Sequence, residues 1–220
     1  MKRWWTLGRW ALKADFRHRA QSVQFILFTA VATYLVYSVA PSPSPTVWLA
    51  LLWVVVLFSA MQAAFRAFHE PESLWAYLNQ LASPAAILGV KSLQVAVHTL
   101  LTAAAALLLF GLFFGMPESA QSIEAVLKVT VALMLGSLAF AATMSFTSAL
   151  ASRAGSNPTL MATLSLPLLL PAVLVARRAS SLAVANQDWA ELAIPLFGEV
   201  VMMGLPLALG SVLMPYLWKQ

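Results

Sequence analysis

Long apolar stretches alternate with short polar ones along the 220 residues. The first runs from about Ser22 to Ala40 and stops at Pro41-Ser42-Pro43-Ser44-Pro45, which cannot continue a helix and makes a short turn. Further stretches cover 47–65, 93–114 (or a start before Lys91), 129–150, 159–176 and 192–217. Runs of about 18 residues or more are long enough to cross a bilayer as helices. A backbone in lipid must satisfy its own hydrogen bonds, so each run is read as an α-helix. The pattern predicts an all-α membrane protein, residues 1–220 forming a single transmembrane domain of six spans. Pro167 and Pro171 are expected to kink or break the short fifth span, and Arg177 to Glu191 reads as a polar connection. There is no internal repeat and no soluble domain.

Two polar segments carry helical periodicity. At about 100° per residue, Lys2, Arg9, Lys13 and Arg17 share one arc, with Trp4, Leu7, Ala11 and Ala14 opposite. This predicts an interfacial helix over 1–20, basic face outward. Its basic, aromatic character is unlike a cleaved signal, so the first span is expected to stay in the mature protein. Between spans two and three, Pro71 suits a helix first turn and acids flank it. Leu74, Tyr77, Leu78 and Leu81 line one face, with Glu72, Trp75, Asn79 and Gln80 on the other. Pro84 is expected to stop this short amphipathic helix, 71–82.

Composition agrees: 61% of residues are apolar and only 10% charged, where a soluble domain carries roughly 25% charged residues. The net charge of +5 does not indicate nucleic acid, because the charges cluster at predicted membrane edges. With the N-terminus inside, Lys2, Arg3, Arg9, Lys13, Arg17, Arg19, Arg66, Lys91, Arg153 and Lys219 are cytoplasmic, and only Lys128, Arg177 and Arg178 lie outside. Ten against three sets both termini in the cytoplasm. The absence of cysteine excludes disulfides, thiolate catalysis and iron–sulfur ligation by this chain alone.

No G-x-x-x-x-G-K-[ST] loop is present, so ATP binding is not expected here. Three scattered histidines make no zinc site, and no catalytic residue is assigned. Gly136-Ser137 invites comparison with an intramembrane serine protease. No histidine follows His98, so the later helices carry no general base.

Several stretches, in order and between the right spans, resemble the haem exporter B (CcmB) family, ABC-type permeases of bacterial cytochrome c maturation. They are Leu12-Lys13-Ala14-Asp15-Phe16-Arg17; Leu52-Trp53 through Leu57-Phe58-Ser59-Ala60 into Phe65-Arg66; Leu81-Ala82-Ser83-Pro84 followed by Lys91; Leu135-Gly136-Ser137-Leu138-Ala139-Phe140 through Ala149 to Asn157; and Thr159-Leu160-Met161-Ala162 with Leu166-Pro167 and Pro171. The resemblance covers about Leu12 to Ala176 and is poor from Ala179 onward. It implies an ABC-2-like permease in the bacterial inner membrane, partnered by a cytoplasmic ATP-binding subunit. It also implies a second membrane subunit with a tryptophan-rich haem segment and, indirectly, a periplasmic haem chaperone. Haem and ATP then belong to the complex and to the partner; no cofactor or metal is assigned to this chain. The 71–82 helix becomes a coupling helix, with Glu72, Trp75, Asn79 and Gln80 facing the ATPase. The alternatives are a permease for a lipid or small molecule, and a non-transporting scaffold.

Four further residues are candidates. His98, inside the third span, is either a haem ligand or a cross-helix hydrogen-bonding group. Glu199 is the only acid inside a span, about two turns from the outer end, and such residues are functional candidates by default. Arg177 and Arg178 either hold carboxylates such as haem propionates, snorkel to headgroups, or pair with Asp188 and Glu191.

Overall fold

The structure is a computed structural model and describes residues 19–69, 80, 82–153 and 158–217. Among the described residues six long helices follow one another: α1 (Arg19–Val39), α2 (Pro45–Phe68), α3 (Pro84–Phe113), α4 (Ile123–Arg153), α5 (Pro158–Val184) and α6 (Trp189–Leu217). A single 3-10 turn, Glu118–Ala120, interrupts the α3–α4 connection. Helices α2 to α6 are each long and apolar enough to cross a bilayer, and α1 adds the apolar stretch Ile26–Val39.

Local chemistry sets the helix ends. Ser44 and Ser83 hold extended N-cap conformations, each followed by a proline at the first helical position. There the missing proline N–H costs nothing. Gly115, at φ +73°, ends α3 in the left-handed conformation glycine tolerates. Helix α5 ends on Asn186, at φ 52°. The Asn186 N–H bonds the Ala183 carbonyl and the Gln187 N–H bonds the Leu182 carbonyl, both at 3.1 Å. These two bonds form a Schellman cap with asparagine in the usual glycine position.

The polarity of the bundle is inverted relative to a protein in water. On α1, Thr29 and Thr33 are buried while Ile26, Leu27, Val31, Tyr34 and Leu35 are exposed. Elsewhere the interior holds Ser59, Thr99, Thr102, Ser137, Thr143, Ser145, Thr147 and Ser148, and the periphery shows Leu108, Leu112, Ile194, Phe197 and Val212. Most of these hydroxyls bond a carbonyl one turn back in their own helix, as Thr33 does to Thr29 at 2.8 Å and Thr143 to Ala139 at 2.9 Å. Exposed aliphatic and buried hydroxylic residues suit a lipid solvent, where small polar groups drive helix association.

Helix α4 forms the centre and touches every other long helix except α1, which leans on α2 and α3 alone. Contacts near the termini fix the up-and-down order. At one end, here the upper end, Tyr37 of α1 meets Phe113 of α3, and Trp48 of α2 meets Phe110 of α3. At the same end Lys128 of α4 reaches Asn186. At the lower end Ser148 of α4 donates to the Ala64 carbonyl of α2 at 3.0 Å.

Pro84 opens α3 nine residues before 93, the alternative with a start before Lys91, and Lys91 lies buried two turns inside it. Two expectations are corrected. Helix α5 runs continuously through Pro167 and Pro171. It also continues through Arg177 to Val184, so the expected polar connection shrinks to residues 185–188. The reason is the other face of that segment. Ala172, Ala176, Ala179, Ser180 and Ala183 are all buried. Their helical spacing lets α5 approach α4 closely and holds the last two turns in place. The expected interfacial helix 1–20 lies outside the described residues apart from helical Arg19 and Ala20.

Candidate functional site

The chemistry of the bundle concentrates where α2, α4, α5 and α6 meet. Glu199 stands ten residues below Trp189 on α6, about 15 Å from the upper end of that helix. It is 1% exposed, so it faces neither water nor the membrane interface. Neither carboxyl oxygen has a hydrogen-bond partner among the described residues. Opposite it lies Gly136 of α4. A methyl group there would come within 2.9 Å of Glu199 Oε1, 2.5 Å of Trp53 Cη2 and 3.2 Å of the Ala176 Cβ. Glycine is required at this point because an indole ring and a carboxyl group already fill the space.

The surroundings of the carboxyl are rigid. The Trp53 indole N–H donates to Ser180 Oγ at 3.0 Å, and that hydroxyl donates to the Ala176 carbonyl at 2.7 Å. The Trp53 ring meets Phe140 edge-on at 5.1 Å. The donors around the acid are therefore engaged with one another. Ser137, next to Gly136, donates to the Leu133 carbonyl at 2.5 Å, so its hydroxyl is committed to its own helix.

A second polar station closes the upper end. Lys128 is 2% exposed. Its ammonium bonds Glu124 at 2.8 Å and Asn186 Oδ1 at 3.0 Å, and lies 5.6 Å from the centre of the Trp189 ring. Three elements are tied here through one buried cation.

The lower-end connection between α2 and α3 is held at both roots. Phe68 is buried, His69 stacks on Phe65 at 4.5 Å, and its N–H bonds the Phe65 carbonyl. Ser83 Oγ accepts the Ala86 N–H at 3.4 Å, capping α3. Of the expected coupling helix, Glu72, Trp75 and Asn79 lie outside the described residues, and Gln80 is helical and exposed.

The remaining candidates do not join the Glu199 cluster. His98 is half-buried on α3, and its carbonyl accepts the Thr102 hydroxyl at 3.0 Å. Among the described residues helices α3 and α5 make no contact, which separates His98 from Arg177 and Arg178. Both arginines are exposed on α5. Trp53, Gly136, Ser180, Lys128 and Asn186 were not singled out as site residues from sequence. The one sequence signal that could have pointed to any of them is the i, i+4 spacing of Glu124 and Lys128. Among the described residues no group of three histidine, aspartate or glutamate side chains is placed to hold a metal.

Comparison with known families matches residues 2–215 to the CcmB protein family. The chain belongs to the CcmB family. The match extends past Ala179, where the quoted resemblances stop, and takes in α6 and Glu199. Comparison with curated proteins finds no significant match. As a CcmB-family protein, the chain is a multi-pass membrane component of a haem-exporting ABC system in cytochrome c maturation, acting with other membrane and ATP-binding subunits.

Proposed function

We propose that this chain is the permease subunit that converts ATP hydrolysis on a cytoplasmic partner into haem delivery, or into release of a haem-loaded periplasmic chaperone. The observation that carries the reading is the family match over residues 2–215 of a six-helix bundle whose polarity is that of a membrane interior. No ATP-binding loop occurs in the sequence, so the nucleotide is bound by a partner. The lower end faces the cytoplasm, with both chain termini, in keeping with the ten-to-three distribution of Lys and Arg. The membrane is then the bacterial inner membrane.

Transmission of force follows from how the lower connection is rooted. Residues 70–81 join α2 to α3 in the sequence, and both helices pack against α4. A push on this segment moves the lower ends of two helices that share one neighbour. Glu72, Trp75, Asn79 and Gln80 are the residues proposed to meet the ATPase. Trp75 is the principal anchor, because large aromatics dominate such contacts. Haem is handled on a second membrane subunit, and none is assigned to this chain.

Trp75→Ala is the direct test, made in cells dependent on this chain for cytochrome c maturation. The expected result is a normal amount of the chain in the membrane, with loss of the co-purifying ATPase and loss of holocytochrome c. Unchanged ATPase association and maturation would remove Trp75 from the interface.

A further inference from the structure

We propose that Glu199 is a proton-binding site inside the bundle, carrying a proton while α4, α5 and α6 are packed together and exchanging it when they part. This assignment does not depend on the identity of the transported substrate.

The first support is the acid's isolation. Burying an ionised carboxylate without a partner costs far more than helix packing returns, so a buried acid must be matched by a cation, a donor or a proton. The three groups nearest a methyl on Gly136 are Trp53 of α2, Ala176 of α5 and Glu199 itself; none of these three carries a positive charge. The one nearby donor from α2, the Trp53 indole N–H, is held by Ser180. On α4 the nearest cation is Lys128, eight residues above Gly136, about 12 Å along the helix, and it is bound to Glu124 and Asn186. On α5, Arg177 adjoins Ala176 in sequence but is exposed. Helix α3 also packs on α6. Its titratable groups, Lys91 and His98, each engage another group, and neither hydrogen-bonds the Glu199 oxygens.

The second support is space. The flank of the carboxyl facing α4 is so closed that a single methyl on Gly136 would lie 2.9 Å from Oε1. No metal ion or organic cation enters from that side without moving a helix. A proton needs no such room. The same closure links proton exchange to motion: Glu199 on α6 is 1% exposed while the helices are packed, and opening the α4–α6 seam brings water to it. A permease that rearranges its helices each cycle therefore changes the surroundings of this acid each cycle.

The test is infrared difference spectroscopy on the full chain with its co-purifying subunits in lipid nanodiscs, comparing wild type with Glu199→Gln. Glutamine matches the shape of the protonated acid, so the bundle is retained. The expected wild-type-minus-variant spectrum at neutral pH is one carboxylic-acid C=O band that shifts slowly in heavy water. Gly136→Ala, which pries the seam, is expected to move that band or to speed its deuterium shift severalfold. A carboxylate band pair in the wild-type-minus-Gln spectrum, or no carboxyl difference at all, would overturn the proposal. So would deuterium exchange of the band that is complete within the mixing time in wild type, since the acid would then be open to water.

Discussion

Replacing Gly136 by alanine is the sharpest perturbation of the four-helix junction. The new Cβ would lie 2.5 Å from Trp53 Cη2 and 2.9 Å from Glu199 Oε1, whereas carbon atoms rest about 3.5–4.0 Å apart. The ring must therefore retreat by about 1 Å. It cannot do so freely, because its N–H is fixed to Ser180 and its ring packs against Phe140. Overpacking of this kind costs about 1–3 kcal/mol. Straining the Trp53–Ser180 bond adds about 1 kcal/mol, and the better helix propensity of alanine returns about 1 kcal/mol. The expected net loss is about 1–3 kcal/mol by these terms, read as reversible unfolding of the full-length chain in mixed micelles. Trp53→Phe shortens the ring, so the Gly136→Ala, Trp53→Phe double variant is expected to be more stable than the sum of the single effects predicts. Two other glycines calibrate the scale. Gly204→Ala meets nothing within 4 Å and is expected to be neutral or slightly stabilising. Gly210→Ala meets chiefly the end of the Leu88 side chain, which can turn aside, and is expected to cost less than Gly136→Ala. A Gly136→Ala chain as stable as wild type, or strict additivity with Trp53→Phe, would refute the reasoning.

Asn186 combines a left-handed cap with a bond to a buried cation. Asn186→Gly keeps the backbone and loses only the Lys128 bond, at about 1 kcal/mol, while Asn186→Ala adds left-handed strain for a total near 2 kcal/mol; thermal unfolding should rank wild type, Gly, Ala in that order. The chain has no cysteine, so single cysteines report its orientation without background. An impermeant maleimide added to spheroplasts is expected to label Ser42→Cys and to spare Ala82→Cys, and the opposite pattern would invert the proposed topology.

The spans were legible because lipid imposes a long, continuous apolar signature. Their ends were less so, since hydropathy weighs a residue without asking which face it occupies. Arg177 and Arg178 read as the start of a loop, yet they decorate the outside of a helix whose inside is Ala176, Ala179, Ser180 and Ala183. Lys91 read as a boundary, yet α3 begins seven residues earlier, at Ser83-Pro84, whose capping chemistry is the better signal. Pro167 and Pro171 read as a kink or a break, and the break does not occur, because surrounding helices can hold a proline-bearing membrane helix together.

For the site, sequence could single out Glu199 because an acid inside an apolar run is conspicuous. It could not show that Trp53, Gly136 and Ala176 close around it, because they come from three other helices with no local signature. Gly136 drew notice only through its neighbour Ser137. His98 was conspicuous for the same reason as Glu199, and Arg177 and Arg178 because they lie on the predicted outer side; none of the three hydrogen-bonds the Glu199 carboxyl.

The central claim is that this bundle is the permease of an ATP-driven haem system. Isolation of the chain from its native membrane in mild detergent, followed by mass spectrometry and a haem absorption spectrum of the separated subunits, tests it most directly. The predicted result is co-purification with an ATP-binding subunit and a second membrane protein, with the haem absorbance on the latter. Recovery of the chain without any ATP-binding subunit would contradict the claim.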